Sequence, residues 1–213
     1  MAKVKRPAPA PKELVLATNN RHKVREITAI LRGAGLKIRV RTLADFPKAP
    51  PVVENKPTIE GNAIKKAKEV ADRLGLPALA DDTGLFIDAL RGKPGVYSAR
   101  FAGPGCTFED NNRKALRLLK NVPPKRRTAT FRCIAALAAP KGNVVLAEGR
   151  IRGRIATEIS GGQGFGYDPV FYVPSARKTF AQMSGAAKNR ISHRGRAFRQ
   201  VPKLWRHLFG TAK

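Results

Sequence analysis

Leu14-Val15-Leu16-Ala17-Thr18-Asn19-Asn20-Arg21-His22-Lys23-Val24, continued by Ile27 and Leu31, decides the fold class. Leu14–Ala17 reads as a short buried strand, and Thr18–Lys23 as a polar turn. Val24, Ile27 and Leu31 then recur at helical spacing until Gly33 and Gly35 stop the helix. A buried strand feeding an amphipathic helix opens an α/β sheet. Leu36, Ile38 and Val40 alternate with Lys37 and Arg39 as in a half-buried strand. The Pro-rich stretch from Asp45 to Lys56 is a loop.

Ala63, Ala67, Val70, Ala71 and Leu74 mark a second helix, closed by Gly75 and Pro77. Ala78-Leu79-Ala80 is a strand stub running into Asp81-Asp82, and Leu85–Leu90 resumes extended structure. Gly92–Arg100 is a loop. Thr107, with Asp110 three residues on, predicts a capping box for a helix through Leu119. Thr128–Ala139 and Asn143–Ile155 predict two long strands joined at Lys141-Gly142. The glycines from 161 to 166 form a flexible loop. A final helix starts near Ser192, and Pro202 breaks or kinks it before Leu204, Trp205 and Leu208. Strand–helix alternation followed by a hairpin predicts a mixed-sheet α/β protein.

The 213 residues suit one large domain, and a hydrophobic share of 42% suffices for a core. No apolar run approaches the roughly 20 residues that span a bilayer. Met1–Lys12 is basic and rich in Pro and Ala, without the apolar centre of a secretory signal. It reads as a disordered leader to a single domain over 13–213, in a cytoplasmic protein. Cys106 and Cys133 stand outside metal-ligand spacing, and Cys133 reads as core. The net charge is +27, and residues 111–213 hold 22 basic against 3 acidic side chains. Such an excess points to an anionic partner, without separating nucleic acid from nucleotide or from a solubility adaptation.

Four segments carry chemistry. Thr18–Lys23, between strand and helix, is either a solvated turn or an anion site at a helix start. Asp81-Asp82 at a strand end is either a solvated turn or a ligand pair for a hard cation, with Glu54, Glu60 and Asp88 nearby. Gly161–Gly166 mimics a phosphate loop but lacks its Gly-Lys-Ser/Thr ending. Phe165 and Tyr167 there gain little from core packing but can stack on a base. Ser192-His193-Arg194-Gly195 adds further cationic groups.

Six segments in order then resemble the inosine triphosphate pyrophosphatase family: Leu-Ala-Thr-Asn-Asn-Arg-His-Lys at 16–23, Glu-Gly-Asn-Ala-Ile-Lys-Lys-Ala at 60–67, Leu-Ala-Asp-Asp-Thr-Gly-Leu at 79–85, Pro-Gly-Val-Tyr-Ser-Ala-Arg at 94–100, Gly-Phe-Gly-Tyr-Asp-Pro-Val-Phe at 164–171, and Lys-Asn-Arg-Ile-Ser-His-Arg-Gly at 188–195. The likeness runs from Leu14 to about Leu208. It implies an elongated mixed β-sheet flanked by helices, with two lobes and a central substrate cleft. It implies hydrolysis of dITP, ITP and XTP between the α and β phosphates, with Mg²⁺ and usually as a homodimer.

By the same resemblance, Thr18, Asn19 and Lys23 hold the triphosphate, with Asn20, Arg21 and His22 in the same substrate-binding loop, and Lys66 reaches a phosphate from the second helix. Asp82 is the catalytic carboxylate and a metal contact, with Glu54 the second metal ligand. Thr83 and Ser98 contact substrate. Phe165, Gly166, Tyr167, Asp168, Lys188, His193 and Arg194 line the nucleotide pocket. Arg21-His22 replaces small residues frequent in the family, and Gly61 stands where many relatives have Glu. The rival reading is a basic nucleic-acid-binding protein. Against it, Asp81-Asp82 has no use in a simple phosphate-binding patch, and 7% aromatic residues leave little for stacking. Weak, sequence-independent nucleic-acid binding is compatible with either.

Overall fold

The structure, a computed structural model, describes residues 11–47 and 50–210. The elements are β1 (Glu13–Leu16), α1 (Arg21–Gly33), β2 (Arg39–Thr42), α2 (Ile59–Leu74), β3 (Ala78–Ile87), β4 (Pro94–Gly95), α3 (Phe108–Leu118), β5 (Thr128–Ala138), β6 (Val144–Ile155), β7 (Phe171–Val173), β8 (Lys178–Thr179), α4 (Gly185–Ile191), α5 (His193–Phe198) and α6 (Val201–Phe209). They build one eight-stranded mixed sheet in the order β2-β1-β3-β5-β6-β7-β8, with β4 pairing β3. β1 runs parallel to β2 and β3, and every other pairing is antiparallel.

Local signals account for the helix limits. Asn20 caps α1 by accepting from the His22 and Lys23 amides. Thr58 caps α2, which stops at Gly75 with φ of 64°. Thr107 and Asp110 form the expected capping box on α3.

Strand alternation sends successive residues to opposite faces of the sheet. On one face Leu14, Leu16, Leu79, Cys133 and Leu137 pack against α1, α5 and α6. On the other, Val15, Ala78, Ala80, Ile134 and Ala136 meet the Ala63–Ala67–Val70 face of α2. A third apolar cluster, around Phe131, Phe171 and Phe180, lies towards the far end of the sheet. Helix α5 docks where β6 has Gly149: a Cβ there would collide with the His193 carbonyl and the Ala197 amide. That close approach sets the depth of His193 and Arg194.

Several sequence expectations need correction. Asp81-Asp82 does not end a strand: β3 runs unbroken through both, because β5 supplies a ladder partner to every residue from Ala78 to Ile87. Extended structure stops at Ile87, and 88–90 form a 3₁₀ turn. The helix expected from Ser192 does start there, as α5, and the break expected before Leu204 falls at 199–200, but α4 ahead of Ser192 was not foreseen. Ser192 ends α4 and caps α5, and Pro202 sits in the first turn of α6, where its missing N–H costs nothing. The short strands β7 and β8 carried no periodic signal. Of the leader, residues 1–10 lie outside the described residues. The Lys12 carbonyl accepts the Arg39 amide where the β1–β2 ladder begins. Among the described residues no helix is long and apolar enough to cross a membrane.

Candidate functional site

The site arises from unequal strand lengths. β1 pairs β3 only at Ala78 and Leu79, and β4 pairs it only at Leu85 and Phe86. On that edge Asp81–Gly84 therefore has no strand neighbour. The gap opens beyond the C-terminal end of β1 and beside the start of α1, where parallel sheets commonly place ligands. A pocket of about 260 Å³ occupies it, and groups from both faces of the sheet reach it.

Asp82 turns to the α2 face. It accepts from Asn62 Nδ2 at 3.1 Å and from the Thr83 amide at 3.0 Å. Lys66 Nζ stands 3.7 Å from Asp82 Oδ1 and also pairs with Glu54. Burial pushes the Asp82 carboxyl above its usual range; Lys66 opposes this and the Glu54 charge adds to it. Burial would lower the Lys66 ammonium, but Asp81, Asp82 and Glu54 together raise it. Glu54 and Asp82 are thus two hard oxygen donors that share one ammonium and repel each other. Among the described residues no group of three His, Cys, Asp or Glu could hold a metal by itself. The donor set fits a cation such as Mg²⁺, which takes one or two protein carboxylates and fills its octahedron with phosphate oxygens and water.

Asp81 turns the other way. Its Oδ2 meets Lys23 Nζ at 3.1 Å and Arg194 Nη2 at 3.5 Å, and accepts from the Thr83 hydroxyl at 3.2 Å. Burial alone would raise this carboxyl, but Lys23, Arg194 and Lys66 hold it well below the usual range. Glu26, which sequence reasoning missed, joins Arg194 and Lys188 at 2.6 Å each. Lys188 also pairs with Asp168, whose Oδ2 caps the Phe165 amide. Burial raises the Asp168 carboxyl against the pull of Lys188. Glu26 stands three residues after Lys23 on α1, so helical spacing was the one signal that could have found it.

Of the residues named from sequence, Thr18, Asn20, Lys23, Glu54, Asp82, Thr83 and Ser98 line the pocket. So do Phe165, Gly166, Tyr167, Asp168, Lys188, His193 and Arg194. Asn19 and Arg21 are exposed outside its wall. Lys66 stands behind the wall, bound to the carboxylates. The His22 ring stacks on Phe165 at 5.1 Å and 22°. The Asn20 carboxamide is spent on capping α1. The Ser98 hydroxyl accepts from the Leu85 amide and donates to the Gly95 carbonyl. Tyr167 lines the pocket as expected but does gain from core packing: it is buried in the apolar cluster and donates its hydroxyl to the Ser98 carbonyl. Phe165 stays partly exposed, with Lys188 and Arg194 over its ring. Sequence reading also missed Phe108, Asn111 and Phe131 in the wall.

His193 is 2% exposed, stacks on Phe131 at 4.3 Å, and has no partner at Nδ1. Burial, then Arg194 and Lys188, push its imidazole well below the usual 6.5. The fold holds it neutral while the unfolded chain protonates near 6.5. Stability is therefore retained above that pH and falls as pH drops through it, by up to about 1.4 kcal/mol per pH unit. Urea unfolding between pH 7.5 and 5.5 measures the slope. His193→Gln should flatten it, and an equal slope in the variant would locate the proton elsewhere.

The Ham1 family profile matches residues 14–204. A dITP/XTP pyrophosphatase of Desulforamulus reducens is 48% identical over 197 residues, which cover 92% of this chain and 97% of that protein. Its counterpart in Geobacter sulfurreducens is 50% identical over 184 residues, 86% and 92% of the two chains. Among solved structures, a HAM1 protein from Coxiella burnetii has a TM-score of 0.82 at 40% identity, over 92% of this chain and 100% of its own. By sequence and by fold alike, over nearly its whole length, the chain belongs to the Ham1 family.

Proposed function

We propose that this chain hydrolyses aberrant purine nucleoside triphosphates (dITP, ITP and XTP) at the α–β phosphoanhydride, releasing the monophosphate and pyrophosphate. One observation carries the reading: the gap beside β3 gathers Asp82 and Glu54 with Lys23, Lys188 and Arg194 around one pocket. The names of the relatives, dITP/XTP pyrophosphatases, agree with it. Release of pyrophosphate from dITP, against ATP as control, tests it. Equal turnover of the two would remove the selectivity, and no turnover of dITP would remove the function.

In the proposed mechanism the Asp82 carboxylate takes a proton from the attacking water as oxygen bonds to phosphorus and the bridging P–O bond breaks. Glu54 and Asp82 would hold Mg²⁺, which neutralises phosphate charge when bound. Lys23 binds the remaining anionic oxygens, and Thr18 borders them. Phe165 supplies a stacking face for the base. Arg194 and Lys188 can only donate, so they favour a 6-oxo group over an amino group. An unpaired buried polar group costs roughly 1–3 kcal/mol, or about 5–150-fold per contact.

Activity should stop on chelation with EDTA and return with Mg²⁺, while the far-ultraviolet circular dichroism stays unchanged. Full turnover after exhaustive chelation would rule the metal out. A two-lobed arrangement around the cleft, a homodimer and a cytoplasmic location belong to the same proposal, each resting on family likeness. Weak, sequence-independent binding of nucleic acid rests on the net charge of +27.

A further inference from the structure

The two helical layers differ sharply in charge. On one side of the sheet, α2 mixes Glu60, Glu69 and Asp72 with its lysines and arginine. On the other, α1, α4, α5 and α6 contain one carboxylate, Glu26, and it is consumed by Lys188 and Arg194. Arg25 and Arg32 on α1, Arg190 on α4, Arg196 on α5, and Lys203 and Arg206 on α6 are exposed. Among the described residues, no Asp or Glu side chain pairs with any of the six, whereas Arg73, Arg113 and Arg150 elsewhere have acidic partners. Residues 1–10, 48–49 and 211–213 contain no Asp or Glu. α1, α5 and α6 pack on the same face of the sheet through one apolar cluster, and Arg199 ties α5 to the end of α4 through the Asn189 and Arg190 carbonyls. The six cations therefore share one layer.

We infer that this layer is a docking surface for a nucleic-acid duplex, held through its phosphate backbone. The inference rests on the nucleic-acid binding proposed above and gives it a location. Guanidinium forks match phosphate oxygens, and five of the six groups are Arg. The exposed large apolar side chains, among them Val53, Tyr97 and Phe108, all lie off these helices. Without a stacking platform the surface reads phosphates rather than single-stranded bases. Without apolar groups to insert, it does not suit a bilayer surface.

The test is fluorescence polarisation of the full-length protein with a labelled duplex of about 20 base pairs. Wild type should bind at micromolar concentration near 50 mM salt, and log Kd should rise with log salt at a slope of about 4 to 5, or roughly 0.9 per phosphate engaged. Arg25, Arg32, Arg190, Lys203 and Arg206 all changed to Gln should weaken binding at least ~30-fold and flatten that slope, with dITP turnover unchanged. The same number of charges removed at Arg91, Lys93, Lys120, Lys125 and Arg126, near the opposite end of β5, should cost no more than ~3-fold. If the five-residue variant does not melt cooperatively, the pairs Arg25→Gln/Arg32→Gln and Lys203→Gln/Arg206→Gln carry the test at ~5-fold each. Equal loss in the two sets would overturn the surface while leaving binding by net charge intact. No binding by wild type would overturn both, and tighter binding to anionic lipid vesicles than to duplex would replace the partner.

Discussion

Asp82→Asn removes at least ~10²-fold of dITP turnover and leaves the protein folded. The amide keeps the shape of the side chain and can still accept from the Thr83 N–H at one end, where Asp82 Oδ1 now does so at 3.0 Å. What it cannot do is take a proton from water or offer an anionic oxygen to a cation. Lys66 retains Glu54 as a partner, so no isolated buried ammonium results. The measurement is kcat on dITP beside a thermal melt. A variant that keeps more than a tenth of wild-type kcat would strip Asp82 of its role, whatever its stability.

The neighbouring substitution should do the opposite first. Asp81→Asn lowers stability by about 3 kcal/mol, because removing one partner of a buried ion pair leaves uncompensated charge. Asp81 is 1% exposed and faces Lys23 and Arg194, and Arg194 is itself 2% exposed. Its depressed pKa gives the sign with pH: the contribution is complete above about pH 4 and is lost on acidification below it. Urea unfolding at pH 7 checks the size. A loss under about 1 kcal/mol would show that Glu26 alone satisfies Arg194 and that Lys23 reaches solvent.

That contrast shows where sequence reading stopped. Asp81-Asp82 looked like a single acidic pair, since adjacency in the chain says nothing about direction until the segment is known to be a strand. Only the full-length ladder with β5 puts the two carboxylates on opposite faces. Tyr167 and Phe165 looked equivalent in a glycine-rich loop, yet Tyr167 is buried against Phe131 and Phe165 stays partly exposed. Glu26 carried no motif, and its worth lies in pairing with residues far along the chain. By contrast, the capping box at Thr107 and the hairpin at Lys141-Gly142 depend on residues within a few positions, and those were legible.

The sequence by itself determined the alternation of strand and helix, the long β5–β6 hairpin, the family likeness and the chemical types around the site. These follow from periodicity, turn chemistry and ordered motifs, all properties of neighbouring residues. The tertiary structure decided which acid meets which cation, that α4, α5 and α6 are separate helices, and that a gap beside β3 joins both faces of the sheet. Those outcomes depend on strand lengths, on the close approach of α5 at Gly149 and on burial, which arise only when distant segments pack together.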